Sequence, residues 1–382
     1  MKDEMNSLMV AVDEFNECLL SLELNYFTGV PDSTLKEWLK SIFDDDSRFV
    51  NRIAANEGAA ISNAAGYYLA TGNIGVVYLQ NSGLGNCVNP LTSLTDSEVY
   101  GVPMLMLIGW RGGPGKKDEP QHKKMGAITE KILITLDIPY EIIDNNNYER
   151  QIHDAVTLSR SNQQPCALIV KPGFFSRYNG VNGDRDSSIN SKYMSREDAI
   201  KCIVDTVKSH EIILSTTGKT SRELYEVCAY SHRGHNNNFY NVGSMGHVSA
   251  IGLEVSLQKK DRITYIFDGD GALIMHMGTL ASIGYYQPSN LVHIVFDNEV
   301  HESTGDQSTL SSAIDISGVM RMCNYKQVLD VSDKATLVNI FNSPIAGPLG
   351  VVIKIKAGSR NNLGRPNDTP KETKIRFMNW NN

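Results

Sequence analysis

The stretch YIFDGDGALIMHMG, residues 265–278, decides the fold. A strand-like apolar run ends in two aspartates that alternate with two glycines, and a helical pattern begins at once. Aspartate is a poor strand residue, and glycine lets the backbone approach another group closely. The next strand-like run, residues 291–298, completes a βαβ unit. The turn is therefore expected at the carboxyl end of a strand and the start of a helix, where ligands of open α/β sheets bind.

The same alternation of strand and helix patterns runs through the whole chain. Most of the strand-like runs are apolar over most of their length, as in parallel strands that are covered on both faces. Those runs are residues 25–30, 74–80, 102–110, 166–172, 211–218, 238–244, 262–271, 291–298 and 350–356, and the clearest helical patterns are residues 33–43, 57–72 and 272–286. The alternation predicts an α/β fold with right-handed crossovers between parallel strands.

A polar segment divides this pattern into two halves. The chain has 382 residues, more than one ordinary core accommodates. Residues 176–198 are rich in Gly, Asn, Ser and Asp and have almost no apolar content. We therefore predict two doubly wound parallel-sheet domains, residues 1–175 and 193–382, joined by a linker at residues 176–192.

Composition excludes several classes of protein. Hydrophobic residues make up 41% of the chain and charged residues 21%, as in globular proteins. The net charge of −7 argues against a nucleic-acid partner. No run approaches the roughly 20 apolar residues of a membrane span, and the N-terminus has no signal-peptide pattern, so we expect a cytoplasmic protein without a membrane partner. The six cysteines are scattered without a C-x-x-C pair, which predicts reduced thiols.

The aspartate–glycine turn has the chemistry of a site for a cation and an anion. Asp270 offers a hard oxygen to Mg²⁺, Asn298 at the end of the next strand offers a second, and the Val300 carbonyl a third. The free N–H groups at a helix start favour a phosphate. A plain turn remains the alternative, because short glycine motifs recur by chance.

The spacing from Gly269-Asp270-Gly271 through one helix and one strand to Asn298 resembles the cofactor motif of thiamine-diphosphate-dependent enzymes. A second element, RIAANEGAAISNAAGYYLATG, is similar to the segment of their decarboxylases in which a glutamate contacts the aminopyrimidine ring. Glu57 stands in that glutamate's place. The alternative is an ordinary first-turn glutamate stabilised by the helix dipole. The two elements together favour catalysis.

A third element, NVGSMGHVSAIGLEVSL, is similar to the family segment that bends the cofactor. The resemblance implies that Met245 wedges the cofactor and that the Gly243 carbonyl faces its 4′-amino group, whereas core packing is the commoner role of a methionine. It further implies a pyrimidine-binding first domain, a diphosphate-binding second domain, and thiamine diphosphate with Mg²⁺ as cofactors. The implied cofactor-binding residues are Glu57, Gly243, Met245, Gly269, Asp270, Gly271, Ala272, Asn298 and Val300, with Asp270, Asn298 and Val300 holding the metal.

The compact layout, without the third central domain of many members, is similar to the branch that acts on phosphonopyruvate and sulfopyruvate. YFTGVPDSTLKEWL, WRGGPGKKDEPQHKKMG and FDNEVHESTGDQST carry this likeness. The resemblance implies decarboxylation of 3-phosphonopyruvate to phosphonoacetaldehyde and CO₂, as in 2-aminoethylphosphonate-type biosynthesis. Sulfopyruvate decarboxylation, carboligation, and a non-catalytic cofactor-binding subunit or sensor are the alternatives. The resemblance also implies at least a homodimer with active sites at the subunit interface.

The expected substrate, a small 2-oxo acid, carries a carboxylate and a phosphonate, so cations are expected around it. Arg111, Lys116 and Arg360 are the predicted contacts, and a solvated loop charge is the alternative for each. His122 and His301 are candidate proton shuttles, with a surface histidine as the alternative. Asp32 is a further catalytic candidate, although related pyruvate decarboxylases place their aspartate one position later, where this chain has Ser33.

Overall fold

The computed structural model describes residues 9–115, 117–180, 192–231 and 233–381. The chain forms two compact units. Unit 1 takes in Met1–Arg185 and Thr304–Gln307, and unit 2 takes in Asp186–Ser303 and Ser308–Asn382. The domain boundaries at residues 175 and 193 stay predictions, because residues 181–191, most of the predicted linker, lie outside the described ranges.

Unit 1 is built on one parallel six-stranded sheet with the strand order β2-β1-β3-β4-β6-β5. Its strands are β1 (Tyr26–Gly29), β2 (Val50–Ile53), β3 (Val76–Gln80), β4 (Met104–Gly109), β5 (Tyr140–Ile142) and β6 (Pro165–Val170). Its helices are α1 (Val12–Ser21), α2 (Lys36–Asp44), α3 (Glu57–Thr71), α4 (Leu84–Ser93), α5 (Pro120–Thr135) and α6 (Tyr148–Asn162), with a 3₁₀ turn at Asn81–Gly83.

Unit 2 is built on a second parallel six-stranded sheet with the order β13-β14-β10-β9-β7-β8. The strands from residue 212 onward are β7 (Ile212–Ser215), β8 (Asn238–Tyr240), β9 (Thr264–Gly269), β10 (Leu291–Asp297), the short β11 (Val300–His301) and β12 (Gln307–Ser308), β13 (Gln327–Val331) and β14 (Leu349–Lys354). The helices are α7 (Arg196–Thr206), α8 (Lys219–Tyr230), α9 (Val248–Gln258), α10 (Asp270–Met275), α11 (Thr279–Tyr286), α12 (Ile316–Met322), α13 (Lys334–Asn342) and α14 (Pro370–Asn381), with a 3₁₀ turn at Ser311–Ala313.

The central strands are covered on both faces, as their continuous apolar sequences predict. Every residue of β4, β6 and β10 is buried. Along β4, Leu105 and Leu107 pack into one core cluster, and Met106 packs into another. Because side chains alternate between the faces of a strand, two helical layers are needed to cover such a sequence. The predicted α/β fold with parallel sheets is thereby confirmed.

The two sheets share one topology. Numbered within its own unit, each has the strand order 2-1-3-4-6-5. From its first strand the chain passes outward to the second, then crosses back to the third. This reversal leaves a crevice at the carboxyl ends of strands 1 and 3, where ligands of doubly wound sheets bind. In unit 2 the crevice lies beyond β7 and β9, and in unit 1 beyond β1 and β3.

One predicted helix is wrong in length. Residues 272–286 were expected to form a single helix, but the chain forms α10 and α11 with a break at residues 276–278. At the break the N–H of His276 bonds to the Leu273 carbonyl, and that of Thr279 bonds to the His276 carbonyl. These i→i+3 bonds form 3₁₀-type turns in place of the α-helical pattern.

Two further expectations concern cysteines and membrane spans. All six cysteines lie within the described ranges and carry free thiols, which agrees with the predicted reduced state. Among the helices in the described ranges, none combines the length and the apolar character that crossing a bilayer requires.

Candidate active site

The two aspartates of the opening stretch have different environments. Asp268 lies at the end of β9 and is fully buried. One of its carboxylate oxygens lies 3.3 Å from His293 Nε2, and the other accepts the Gly269 N–H at 2.9 Å. Asp268 therefore anchors the turn to the sheet. Asp270 begins α10 at the carboxyl edge of the sheet, where ligands of doubly wound sheets bind.

The Asp270 carboxylate is buried among hydroxyl groups and a second acid. Its Oδ2 accepts a hydrogen bond from Thr309 Oγ1 at 2.6 Å and lies 3.0 Å from Ser311 Oγ, which is 2.9 Å from Asp297 Oδ1. The pKa of Asp270 is raised to about 6, mainly by burial. The hydrogen bond from Thr309 opposes this shift, and the charge of the neighbouring Asp297 contributes to it. A cation beside Asp270 would compensate this buried charge.

Asn298 lies close to Asp270 because β9 and β10 are paired, with Gly269 opposite Phe296. The Asn298 amide is held at both ends: its Nδ2 donates to Glu302 Oε1 at 2.7 Å, and its Oδ1 accepts the Val300 N–H at 3.2 Å. One carboxylate, one amide oxygen and a backbone carbonyl are hard ligands of the kind Mg²⁺ binds together with phosphate oxygens. The donor set predicted from the sequence thus fits Mg²⁺.

Two buried polar atoms, found only in the structure, suit the same ligand. In the described part of the chain, Thr216 Oγ1 and Asn241 Nδ2 are buried without a hydrogen-bond partner. They directly follow the adjacent strands β7 and β8, and β7 also neighbours β9. Buried polar groups are normally paired, so an absent partner indicates a ligand there. A hydroxyl and an amide beside the start of α8 suit a diphosphate. The available signals were the STTG and NVG sequences near the ends of the predicted strands at residues 211–218 and 238–244.

The glycines of the two predicted cofactor segments allow close packing. A Cβ on Gly246 would lie 2.5 Å from His276 Cδ2 and 2.9 Å from the Ala272 carbonyl oxygen, and Gly246 has a φ of 87°. A Cβ on Gly271 would lie 2.7 Å from His301 Cε1. Only glycine fits such contacts without a shift of its neighbours.

The remaining predicted cofactor residues lie in these same segments. Gly243 and Met245 belong to the loop between β8 and α9, where Met245 is half-buried. Gly269 is the last residue of β9 and has open space where a Cβ would stand. Burial lowers the pKa of His301 to about 4, so its imidazole is neutral at pH 7.

In unit 1, Glu57 is the first residue of α3 and is 7% exposed. Its Oε2 accepts a hydrogen bond from Asn86 Nδ2 at 2.6 Å. Gly83 makes room for the carboxylate, because a Cβ there would lie 2.4 Å from Glu57 Oε1. Asn56 caps the helix by accepting the Ala59 N–H at 2.9 Å. Asn86 was missed from the sequence, although it lies in the glycine-rich QNSGLGN segment.

Asp32 lies directly beyond β1, in the unit 1 crevice. Its Oδ2 accepts the Thr34 and Leu35 N–H groups at 3.0 and 3.3 Å, whereas its buried Oδ1 has no partner in the described part of the chain. Burial raises the pKa of Asp32 to about 6, although those N–H groups and the charge of Arg111 oppose the shift. A buried acid with an unpaired oxygen is a candidate for proton transfer.

Two further predicted residues of unit 1 interact with Asp32 or with each other. Arg111 binds Asp118 through Nε and Nη2 at 2.9 and 2.6 Å, and its Nη1 donates to Ser33 Oγ at 3.0 Å. His122 has a pKa lowered by burial and then by the Arg111 charge, and its buried Nδ1 has no partner within the described residues. The segment 30–34 and the described residues of segment 110–122 are thus brought together.

The other predicted substrate cations are placed less favourably. Arg360, in unit 2, forms ion pairs with Glu197 at 3.0 Å and with Glu226. Its contact with substrate stays a prediction, and these ion pairs would compete with it. Lys116 lies outside the described residues.

Comparisons with known proteins agree with this arrangement. Residues 9–130 match the model described as the thiamine pyrophosphate enzyme N-terminal TPP binding domain, and residues 216–351 match the corresponding C-terminal TPP binding domain. Phosphonopyruvate decarboxylases from Streptomyces viridochromogenes and Streptomyces hygroscopicus are 34% and 32% identical to the chain, each over 97% of this chain and 94% of its own. The sulfopyruvate decarboxylase of Methanosarcina acetivorans is 31% identical over 75% of this chain and 76% of its own.

Proposed function

Because the chain belongs to the thiamine pyrophosphate-dependent decarboxylases, we propose that it converts 3-phosphonopyruvate to phosphonoacetaldehyde and CO₂ in an Mg²⁺-dependent reaction. The observation that carries this proposal is the similarity to phosphonopyruvate decarboxylases over 97% of the chain. We place the reaction in phosphonate biosynthesis of the 2-aminoethylphosphonate type and in the cytoplasm.

The residues of the unit 2 crevice would hold the metal and the diphosphate. Asp270, Asn298 and the Val300 carbonyl supply hard oxygens, and the hydrogen bond from Thr309 to Asp270 fixes the carboxylate in place. The Thr216 hydroxyl and the Asn241 amide, which have no partner in the described ranges of the chain, supply hydrogen-bond donors for phosphate oxygens. Since the donors are already buried, the anion would be bound without a large ordering cost.

Glu57 would hold a proton at its carboxylate and share it with the cofactor's aminopyrimidine ring. Bound thiamine diphosphate supplies the acceptor for the electron pair released when CO₂ leaves. Asn86 keeps Oε2 of Glu57 engaged, so Oε1 is the oxygen left to bind the ring. The low exposure of Glu57 excludes water that would otherwise compete for this proton.

We assign substrate recognition and proton transfer to the cluster around Asp32. Arg111 offers a planar guanidinium for carboxylate or phosphonate oxygens, and its bond to Asp118 fixes the orientation. His122 and Asp32 each carry a buried polar atom without a partner among the described residues, and these atoms could exchange a proton with the substrate. His301, whose pKa is lowered by burial, is a further candidate for proton transfer in unit 2. We further propose at least a homodimer in which each active site combines both halves of the cofactor site.

Sulfopyruvate decarboxylation is the second candidate, favoured by the 31% identity to a sulfopyruvate decarboxylase. Purified protein with thiamine diphosphate and Mg²⁺ would be incubated with each acid, with release of CO₂ and the aldehyde product measured. We expect kcat/KM to be higher for 3-phosphonopyruvate. Equal or higher activity on 3-sulfopyruvate would replace our substrate assignment. Cofactor binding without CO₂ release from either acid would favour a sensor.

A further inference from the structure

The Glu302 carboxylate accepts a hydrogen bond from the Asn298 side-chain amide and also forms ion pairs with Arg196 and Lys219. Its side chain is only 4% exposed. Oε1 accepts hydrogen bonds from Asn298 Nδ2 at 2.7 Å and from the Gly358 N–H at 2.8 Å. Oε2 accepts from Arg196 Nη2 at 2.9 Å and lies 3.7 Å from Lys219 Nζ. This buried carboxylate therefore has four donors around its two oxygens.

A second acid keeps Arg196 in position. Arg196 begins α7, and its Nε and Nη2 bind the two oxygens of Glu223 at 2.7 and 3.0 Å. The Glu223 side chain is 1% exposed and that of Arg196 is 7% exposed. Two acids and two bases balance the charge of the cluster. Because breaking a buried ion pair leaves an uncompensated charge, a movement of Glu302 away from Arg196 and Asn298 is unfavourable.

These contacts allow one orientation of the Asn298 amide. In the observed orientation, NH₂ faces a carboxylate and Oδ1 accepts the Val300 N–H. The reversed amide would set Oδ1 against the Glu302 carboxylate and NH₂ against the Val300 N–H. A carboxylate accepts but does not donate, and two N–H groups cannot bond to each other. The reversal would thus lose two hydrogen bonds and create two repulsive contacts.

We propose that Glu302 is a positioning residue for the metal site: it holds the Asn298 amide in the orientation that keeps Oδ1 available to Mg²⁺. The inference rests on the proposed metal-binding function of Asp270 and Asn298. Residues that orient metal ligands typically change metal affinity by roughly 10–100-fold when they are replaced. The Arg196–Glu223 pair acts indirectly, because Arg196 binds Glu302 and holds it in place.

The test measures Mg²⁺ dependence instead of activity. Thiamine diphosphate is titrated calorimetrically into the full-length protein at a series of fixed Mg²⁺ concentrations, which gives the half-saturating Mg²⁺ concentration. In Glu302→Gln the new NH₂ must face a donor on one side, either Asn298 Nδ2 or the Arg196 guanidinium. We therefore expect the half-saturating Mg²⁺ concentration to rise by roughly 10–100-fold, with cofactor binding recovered in excess Mg²⁺. Glu299→Gln is the matched control, because Glu299 lies in the same loop but pairs with Lys354 at 2.8 Å; its value should stay within about twofold of the wild type.

A double-mutant cycle separates positioning from general destabilisation. If Glu302 acts through Asn298, Glu302→Gln should add nothing to the loss caused by Asn298→Ala. Additive losses would overturn the inference, as would an unchanged Mg²⁺ dependence or a loss that excess Mg²⁺ does not recover. If Glu302→Gln does not fold, Glu302→Asp is measured instead, because it keeps the charge but withdraws the carboxylate from Asn298. The same rise in the half-saturating Mg²⁺ concentration is expected, and an unchanged value would overturn the inference. A wild-type protein that binds no thiamine diphosphate with Mg²⁺ would instead refute the proposed function.

Discussion

Glu57 is the residue on which the proposed chemistry depends, and its role can be tested alone. Glu57→Gln keeps the size and the contact with Asn86 but removes the acid. Because one acid–base group contributes roughly 10²–10⁴-fold, we expect turnover to fall by that factor while thiamine diphosphate affinity changes little. Steady-state kinetics and calorimetry provide the two measurements. A loss of cofactor affinity with unchanged turnover would contradict the assignment.

The raised pKa of Asp32 predicts that the stability of the protein depends on pH. Its folded-state pKa of about 6 lies above its ordinary value of 3.8, so its contribution to stability is fully present below pH 4 and is lost as the pH rises through 6. Raising a pKa from 3.8 to about 6 corresponds to roughly 3 kcal/mol. From pH 4 to pH 7, the free energy of unfolding of Asp32→Asn should therefore rise by up to that amount relative to the wild type.

Denaturant unfolding of the protein without cofactor at several pH values measures this difference. Asp45→Asn is the control, because hydrogen bonds from Ser47 and then Arg48 lower the pKa of Asp45 to about 2. Its stabilising contribution is lost only as the pH falls towards 2, so its difference from the wild type should be constant between pH 4 and pH 7. A flat profile for Asp32→Asn would show that the folded-state pKa of Asp32 is not raised, as for a solvated carboxyl group.

At the scale of elements, the glycine-rich segment before α4 shapes the Glu57 site. Gly83→Ala would place a methyl group 2.4 Å from both Cγ and Oε1 of Glu57, so the carboxylate must move. A displacement of about 1 Å can reduce catalysis by about 10²-fold, and we expect a decrease of that order in kcat. Gly85→Ala is the matched control, because nothing lies within 4 Å of a Cβ there and alanine favours the helix. Equal activities of the two variants would rule out this steric role.

Element prediction succeeded where the sequence pattern is strong and local. The apolar runs of β4 and β10 predict buried parallel strands, and the helical pattern at residues 57–72 corresponds to α3, which is capped at its C-terminus by Gly72 in a left-handed conformation. The structure adds that the Asn56 side chain caps the start of this helix. The short edge strands β5 and β13 were missed, because they are only partly buried and their sequences lack a continuous apolar run. The break between α10 and α11 was missed because apolar residues continue through it.

At the scale of the whole molecule, cofactor binding should stabilise the fold. A ligand at 100 times its Kd stabilises a protein by about 2.7 kcal/mol, so thiamine diphosphate with Mg²⁺ should raise Tm by several degrees. Differential scanning calorimetry would measure the shift. Thiamine without its phosphates, or chelation of Mg²⁺, should abolish it, and so should Asp270→Ala. A full shift for Asp270→Ala would place the metal elsewhere in the molecule.

The sequence by itself determined the repeated βαβ pattern, and with the family resemblance it predicted Asp270, Asn298 and Glu57 as site residues. Each of these signals lies in residues that are close in the chain, where spacing and residue type carry the information. Only the tertiary structure brought Thr216, Asn241, Thr309 and Glu302 into the proposed site. Their roles depend on burial, strand order and contacts between distant segments, so a hydroxyl or carboxylate that looks ordinary in the sequence becomes specific only once its neighbours are known.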